Sequence, residues 1–275
     1  MDIRRVCVSC FSPCGNTKKA AMAMAVEVAG LLQVPCVEMD FTLPGDRERE
    51  QGFSCDDLVI IATPVYAGRV PNKIMPYIRD GIKGDNNPCI CMVSFGNRAY
   101  DDALYELTKL MIDNGMKVIG AAAICSEHSF APMLAAGHPN ERDEADIKKF
   151  AWECVDAINN NKAGILNVPG DRSLSAYYKP LKADNTQAVF LKAVPVTDAG
   201  MCNSCGICAT VCPMGSVSRD NPLLTEGVCI KCQACIKSCP QKARYFSNED
   251  FLSHIRNLED NQRELKKSEY YIIGE

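Results

Sequence analysis

Eight cysteines near the carboxyl end of the sequence have the spacing of metal ligands. They form two runs, residues 202–213 and 229–240, and each run has the pattern C-x2-C-x2-C-x3-C-P. Three thiolates spaced in this way let one short loop surround a four-iron cluster, and the fourth cysteine then reaches the other cluster of a pair. The segment is an internal repeat, and its spacing predicts two [4Fe–4S] clusters.

The same rule divides the eight cysteines into two sets of ligands. Cluster I takes Cys202, Cys205, Cys208 and Cys239, and cluster II takes Cys229, Cys232, Cys235 and Cys212. Structural zinc usually needs two separated cysteine pairs, and a disulfide framework suits a short secreted chain. Neither alternative accounts for three evenly spaced cysteines and a Cys-Pro that occur twice. At these positions residues 198–246 resemble a two-cluster bacterial-type ferredoxin domain.

Composition limits the remaining classes of function. The chain of 275 residues is long enough for two domains, and its net charge of −4 argues against a nucleic-acid partner. No apolar stretch is long enough to span a membrane, and no signal-peptide pattern precedes the first strand, so we expect a cytoplasmic protein. Nine of the seventeen cysteines lie outside the repeat, and most are expected to be buried free thiols. Such clusters beside many free thiols suggest an anaerobic cell.

The first 160 residues alternate between apolar strands and helices. This pattern predicts a doubly wound, five-stranded parallel α/β sheet, whose ligand crevice lies at the carboxyl ends of the strands. The predicted strands are 4–10, 35–41, 57–62, 89–94 and 117–125, and the predicted helices are 18–33, one from residue 71, 102–114 and 141–160. We expect Trp152 to pack against the sheet.

Three loops at this edge of the sheet have unusual compositions. The first, residues 12–17, is a strand–turn–helix junction that can aim backbone amides at an anion, although an unoccupied turn is the alternative. It contains no dinucleotide fingerprint and no Walker loop. Residues 63–71 and 94–101 add aromatic side chains, so the three loops together suit a flat aromatic cofactor with one phosphate.

Residues 1–160 resemble a flavodoxin-like FMN domain, on the pattern Ser12-x-x-Gly15-x-Thr17-x-x-x-Ala21, with Cys14 where that family commonly has threonine. The resemblance implies FMN contacts from the three loops, with Tyr66 as the stacking candidate, or else as a tyrosine that only covers the sheet end. The implied contacts are Ser12, Cys14, Gly15, Asn16, Thr17, Thr63, Pro64, Val65, Tyr66, Ala67, Gly68, Ser94, Phe95, Gly96, Asn97, Tyr100 and Asp101. His128 is expected to be a solvated loop residue, with a role as proton donor to flavin as the alternative.

We expect a flavodoxin-like domain at 1–162, a linker at 163–197, the small α+β ferredoxin domain at 198–246, and a helix and tail at 247–275. Lys266 and Lys267 are predicted in the last turn of that helix, where cations suit the macrodipole. The whole chain resembles the EFR1-family ferredoxins, which implies an electron-transfer protein with FMN, two [4Fe–4S] clusters and an external redox partner protein. An FMN-dependent reductase of a small acceptor and a redox sensor are the alternatives, and a homodimer is left open.

Overall fold

A computed structural model describes residues 2–274 of the chain. Strands and helices alternate through the first 160 residues, and short elements follow. The strands are β1 (Arg5–Cys10), β2 (Cys36–Asp40), β3 (Gln51–Gly52), β4 (Asp57–Pro64), β5 (Ile82–Lys83), β6 (Pro88–Phe95), β7 (Lys117–Cys125), β8 (Val196–Thr197), β9 (Arg244–Tyr245) and β10 (Glu269–Ile272). The helices are α1 (Asn16–Leu32), α2 (Met75–Asp80), α3 (Ala103–Asp113), α4 (Glu141–Asn159), α5 (Ile207–Thr210), α6 (Ala234–Lys237) and α7 (Glu249–Asn261).

The main sheet has the strand order β10-β7-β6-β4-β1-β2. Its five strands from the first half of the chain are all parallel and follow the flavodoxin-like order 2-1-3-4-5. The prediction of a doubly wound, five-stranded parallel sheet is confirmed. A sixth strand, β10, was not predicted; it comes from the far end of the chain and pairs antiparallel with β7.

Helices cover both faces of the sheet, because strands β1, β4 and β6 are apolar along nearly their whole length. Helices α1 and α4 pack on one face, while α3 and Ile78 of α2 pack on the other. The prediction that Trp152 packs against the sheet is wrong, because its side chain is 60% exposed. Ile147, Ala151 and Cys154 bury the opposite side of α4, which leaves Trp152 facing solvent.

The smaller elements lie along the carboxyl half of the chain. Strands β8 and β9 pair antiparallel at the two ends of the cysteine repeat. Helix α7 ends at Asn261, so Lys266 and Lys267 lie beyond its last turn, contrary to the prediction. No helix within residues 2–274 is both long enough and apolar enough to cross a membrane.

Candidate functional site

Each predicted set of four cysteines lines one cavity of its own. Cys202, Cys205, Cys208 and Cys239 line one small cavity. A second small cavity is lined by Cys212, Cys229, Cys232 and Cys235. In both, the fourth cysteine comes from the other run of the repeat, as a two-cluster arrangement requires.

The two runs also share one backbone conformation. Three pairs of residues that are 27 positions apart have a positive φ: Ser204 and Lys231, Gly206 and Gln233, and Gly215 and Lys242. The four cysteine pairs have the same offset. Left-handed residues alternating with right-handed ones turn successive amides toward one concave side, a geometry that binds anions and iron–sulfur clusters. The repeat in the sequence is therefore a repeat in structure.

Backbone amides also point at the cysteine sulfurs. The amides of Ser216 and Ala243 each donate to the sulfur four residues earlier, Cys212 Sγ and Cys239 Sγ, at 3.3 Å. Such donors favour a thiolate over a thiol and therefore fit a cluster ligand. Among residues 2–274, no three His, Cys, Asp or Glu side chains stand close enough to hold a single metal ion.

A larger cavity, of about 260 Å³, lies at the carboxyl ends of the parallel strands. We call it the sheet-edge cavity. Of the predicted FMN contacts, twelve line it: Ser12, Cys14, Asn16, Thr17, Pro64, Val65, Tyr66, Ala67, Gly68, Ser94, Phe95 and Gly96. Burial raises the pKa of Tyr66, so its hydroxyl stays protonated.

The first loop has the geometry of an anion cradle. Gly15 has a φ of 91° and directly precedes helix α1, whose first amides, those of Asn16 and Thr17, have no partner within the helix. The Lys18 amide donates to Ser12 Oγ at 2.9 Å, and the hydroxyls of Thr17 and Ser94 are 2.5 Å apart. These bonds hold the loop in place, and Asn16 and Thr17 both line the cavity.

Two lysines at the start of α1 are already paired with carboxylates. Lys18 contacts Glu38 and lies 3.6 Å from Asp40, and Lys19 lies 3.2 Å from Glu144. Their unfavourable position at a helix N-terminus is therefore offset by neighbouring acidic side chains, and the backbone amides remain as the anion donors.

Five predicted contacts do not line the sheet-edge cavity: Gly15, Thr63, Asn97, Tyr100 and Asp101. Gly15 shapes the loop, and Thr63 is buried within the sheet. The Asn97 side chain is buried and binds the chain after α7. Tyr100 and Asp101 line a neighbouring open cavity instead.

Residues that were not among the predicted FMN contacts complete the wall of the sheet-edge cavity. Its aromatic side combines the β7–α4 loop, the linker and α7, through His128, Phe130, Tyr178, Phe190, Phe251 and His254. The rings of Phe190 and His254 are stacked, with centroids 5.5 Å apart. These contacts join segments distant in sequence, so no local pattern indicates them.

His128 is part of this wall and not a solvated loop residue, contrary to the expectation. The amides of Phe130 and Ala131 approach its Nδ1 at 3.4 and 3.3 Å, so Nδ1 accepts and the ring proton lies on Nε2. Burial lowers the pKa of His128 to about 3. The ring is therefore neutral near pH 7 and can donate one hydrogen bond from Nε2.

The sheet-edge cavity and the second cysteine cavity share a wall. Ile230, Lys231 and Cys232 line both spaces. The thiol of Cys14, in the first loop, donates to the carbonyl oxygen of Cys232 at 2.7 Å. A salt bridge of 3.1 Å also joins Lys237 of α6 to Glu127 of the β7–α4 loop. The first cysteine cavity shares no residue with the sheet-edge cavity and so lies on the outer side of the repeat.

Residues 195–218 match the family model described as the 4Fe-4S binding domain. No curated protein matches the chain. Among solved structures, it is similar to a flavodoxin from the domain Archaea (16% identity, 56% of this chain and 99% of that chain, TM-score 0.41). It is also similar to the flavodoxin of Streptococcus pneumoniae TIGR4 (16%, 55% and 98%, TM-score 0.39) and to an NADH:FMN oxidoreductase in its apo form (15%, 62% and 93%, TM-score 0.41). By its strand order and this family match, the chain joins a flavodoxin-like α/β unit to a ferredoxin-type 4Fe-4S segment.

Proposed function

We propose that this protein is an electron-transfer iron–sulfur flavoprotein that relays electrons between two [4Fe–4S] clusters and FMN, and exchanges them with an external redox partner protein. The shared wall of Ile230, Lys231 and Cys232 is the observation that supports the proposal, because the cavity where FMN would bind and the cavity where cluster II would bind then adjoin each other. The clusters each carry one electron when bound, and the flavin carries one or two.

The ligand sets remain those of the sequence prediction. Cluster I takes Cys202, Cys205, Cys208 and Cys239; cluster II takes Cys229, Cys232, Cys235 and Cys212. The shared left-handed positions of the two runs support a second cluster beside the one that the family match covers. The first cysteine cavity contains the exposed Cys205 and lies away from the flavin site, so we place partner exchange there.

Different residues of the sheet-edge cavity would bind different parts of FMN. The amides after Gly15 would hold the phosphate, Tyr66 and the 94–96 loop would flank the ring, and the aromatic wall would exclude water. The assigned domains are the flavodoxin-like unit at 1–162, the linker at 163–197, the ferredoxin domain at 198–246, and the helix and tail at 247–275. This arrangement is the one that the EFR1-family resemblance implies.

A redox sensor based on Cys14 receives less support. Burial raises the pKa of this thiol to about 11, whereas reactive cysteines have a lowered pKa. Its proton is also engaged by the Cys232 carbonyl.

A reductase of a small acceptor is the second candidate, and one observation favours it. The open cavity that contains Tyr100 and Asp101 shares Gly68, Phe95 and Arg98 with the sheet-edge cavity, which gives a small molecule a route to the flavin site. Turnover of a quinone or nitro compound by the purified protein, with no partner protein present, would favour this candidate.

Two ligand variants test the relay. Cys205→Ser removes a ligand at the outer cluster and Cys232→Ser removes one beside the flavin site, while Cys36→Ser changes an exposed cysteine outside the repeat. With a reduced low-potential ferredoxin as electron donor, we expect flavin reduction to slow at least about tenfold in both ligand variants and to stay unchanged in Cys36→Ser. Flavin reduction at the unaltered rate in Cys232→Ser would contradict the relay.

A further inference from the structure

A buried arginine lies between the two cysteine cavities. Arg244, on β9, lines both of them and is only 3% exposed. Strand pairing with Thr197 of β8 holds its backbone at the base of the repeat. Its Nη1 approaches Cys208 Sγ at 4.0 Å, and Cys235 lines the second cavity beside it.

All of the close partners of this guanidinium are uncharged. Nη1 donates to Thr197 Oγ1 at 2.9 Å and to the Pro222 carbonyl at 2.7 Å, and Nη2 donates to Thr225 Oγ1 at 2.7 Å. Its Nε is buried and has no hydrogen-bond partner. Among residues 2–274, no carboxylate lies within salt-bridge distance of Arg244, whereas Lys237 of α6 is paired with Glu127.

Burying the Arg244 guanidinium in this way destabilises the folded protein unless another group supplies a compensating negative charge. A buried cation without a counter-ion loses several kcal/mol of solvation, and neutral acceptors recover only part of it. The two cavities can supply the missing charge. A [4Fe–4S] cluster with four thiolates has a net charge of about −2 when oxidised, and reduction adds one more negative charge.

We propose that Arg244 is the shared counter-ion of the two clusters and that its charge raises the reduction potentials of both. The inference rests on the proposed function, since it requires both clusters. A fixed positive charge favours the more negative, reduced state of each neighbouring cluster, and burial keeps this interaction strong. Because the guanidinium lies between the cavities, it acts on both clusters and reduces the repulsion between them.

The experiment is a redox titration of the complete, cluster-loaded protein, followed by electron paramagnetic resonance. Arg244→Met removes the charge, Arg244→Lys keeps it, and Arg219→Met removes an equal charge from an exposed position in the same repeat. We expect both midpoint potentials to become more negative in Arg244→Met, to stay near the unaltered values in Arg244→Lys, and to move little in Arg219→Met. High salt should abolish the effect of Arg219→Met but not that of Arg244→Met, since buried charges are screened less.

Iron content makes the remaining outcomes decisive. If Arg244→Met loses both clusters while Arg244→Lys keeps them, charge is again the cause and the inference stands. If both variants lose clusters, or if Arg244→Met keeps them with potentials like those of Arg219→Met, the inference is wrong. Absence of two clusters from the unaltered protein would instead overturn the proposed function, so the two failures are distinguishable.

Discussion

One glycine sets the direction of the amides in the first loop. Gly15 has a φ of 91°, a conformation that costs other residues about 1–2 kcal/mol. A Cβ atom built there meets no heavy atom within 4 Å, so a substitution would be strained in the backbone without being crowded. The site therefore depends on the backbone freedom of glycine at this position.

Replacing this glycine tests the conformation directly. We expect Gly15→Ala to lower the free energy of unfolding by about 1–2 kcal/mol and to weaken FMN binding. Gly30→Ala, within helix α1 and with equally open surroundings, should instead raise the free energy of unfolding by about 0.5–1 kcal/mol. Denaturant unfolding and flavin titration under anaerobic conditions measure both effects. Equal stability of the two variants would contradict the assigned conformation.

His128 makes stability depend on pH. Its pKa is lowered to about 3 by burial, whereas an unfolded histidine titrates near pH 6.5. The unfolded chain therefore binds a proton that the folded protein does not, and stability is full above pH 6.5 and falls as the pH drops from there toward 3.

A variant that cannot titrate isolates this contribution. Between pH 6.5 and 5.5, the unaltered protein should lose about 1 kcal/mol more stability than His128→Asn, in which the amide oxygen can still accept the two backbone bonds. Burial also lowers the pKa of His254, and this effect is common to both proteins. Parallel pH profiles for the two proteins would show that His128 takes up its proton equally in the folded and unfolded states, and would contradict the lowered pKa.

At the scale of elements, the chain after α7 forms hydrogen bonds with the loop that follows β6. Asn97 Nδ2 donates to the carbonyls of Gln262 and Glu264 at 2.6 and 3.0 Å, and its Oδ1 accepts from the Lys266 amide at 2.8 Å. From there the chain enters β10 at the sheet edge. The C-terminal segment thus holds α7, and with it the aromatic wall, against the flavodoxin-like unit.

Two substitutions at Asn97 separate hydrogen bonding from backbone strain. Asn97 has a φ of 63°, so Asn97→Ala removes the bonds and adds strain, while Asn97→Gly removes the bonds alone. We expect Asn97→Gly to destabilise the protein by about 1–3 kcal/mol and Asn97→Ala by about 1–2 kcal/mol more. Thermal or denaturant unfolding measures both. A neutral Asn97→Gly would show that these bonds contribute nothing to stability.

The elements that sequence reasoning found are those with a local signal. Four of the five parallel strands, all but β2, are largely apolar runs, and the cysteine repeat has a fixed spacing, so both could be predicted. Strand β10 could not be, since its four residues carry no distinctive pattern and their pairing with β7 depends on tertiary structure. The aromatic wall around His128 could not be predicted either, because its contacts also depend on tertiary structure. Trp152, in contrast, could have been placed by the helical spacing of Ile147, Ala151 and Cys154.

At the scale of the whole molecule, hydrogen bonds from Arg47 join the flavodoxin-like unit to the ferredoxin-type segment. Its Nη1 donates to the carbonyls of Phe41 and Thr42 at 2.7 and 2.6 Å, and its Nη2 donates to the carbonyl of Pro213, directly after Cys212. Burial lowers the pKa of Arg47, yet an arginine stays charged near neutral pH. The flavodoxin-like unit thus supports the backbone beside a predicted ligand of cluster II.

Removing these hydrogen bonds should let the flavodoxin-like unit and the ferredoxin-type segment unfold separately. In the unaltered protein we expect flavin release and cluster loss to occur together on heating, because the sheet-edge cavity, where we propose that FMN binds, and the second cysteine cavity share a wall. Arg47→Met should cost about 1–3 kcal/mol and separate the two events. Arg49→Met, at an exposed position two residues on, serves as the control. Flavin fluorescence and cluster absorbance during anaerobic melting would measure both, and joint melting of Arg47→Met would argue against this role.

The most direct test of the account is the cofactor content of the protein purified under anaerobic conditions. FMN, iron and acid-labile sulfide are measured per chain after supplementation with FMN. We expect about one FMN, eight irons and eight sulfides per chain. Full clusters with no retained flavin, or about four irons in place of eight, would contradict it.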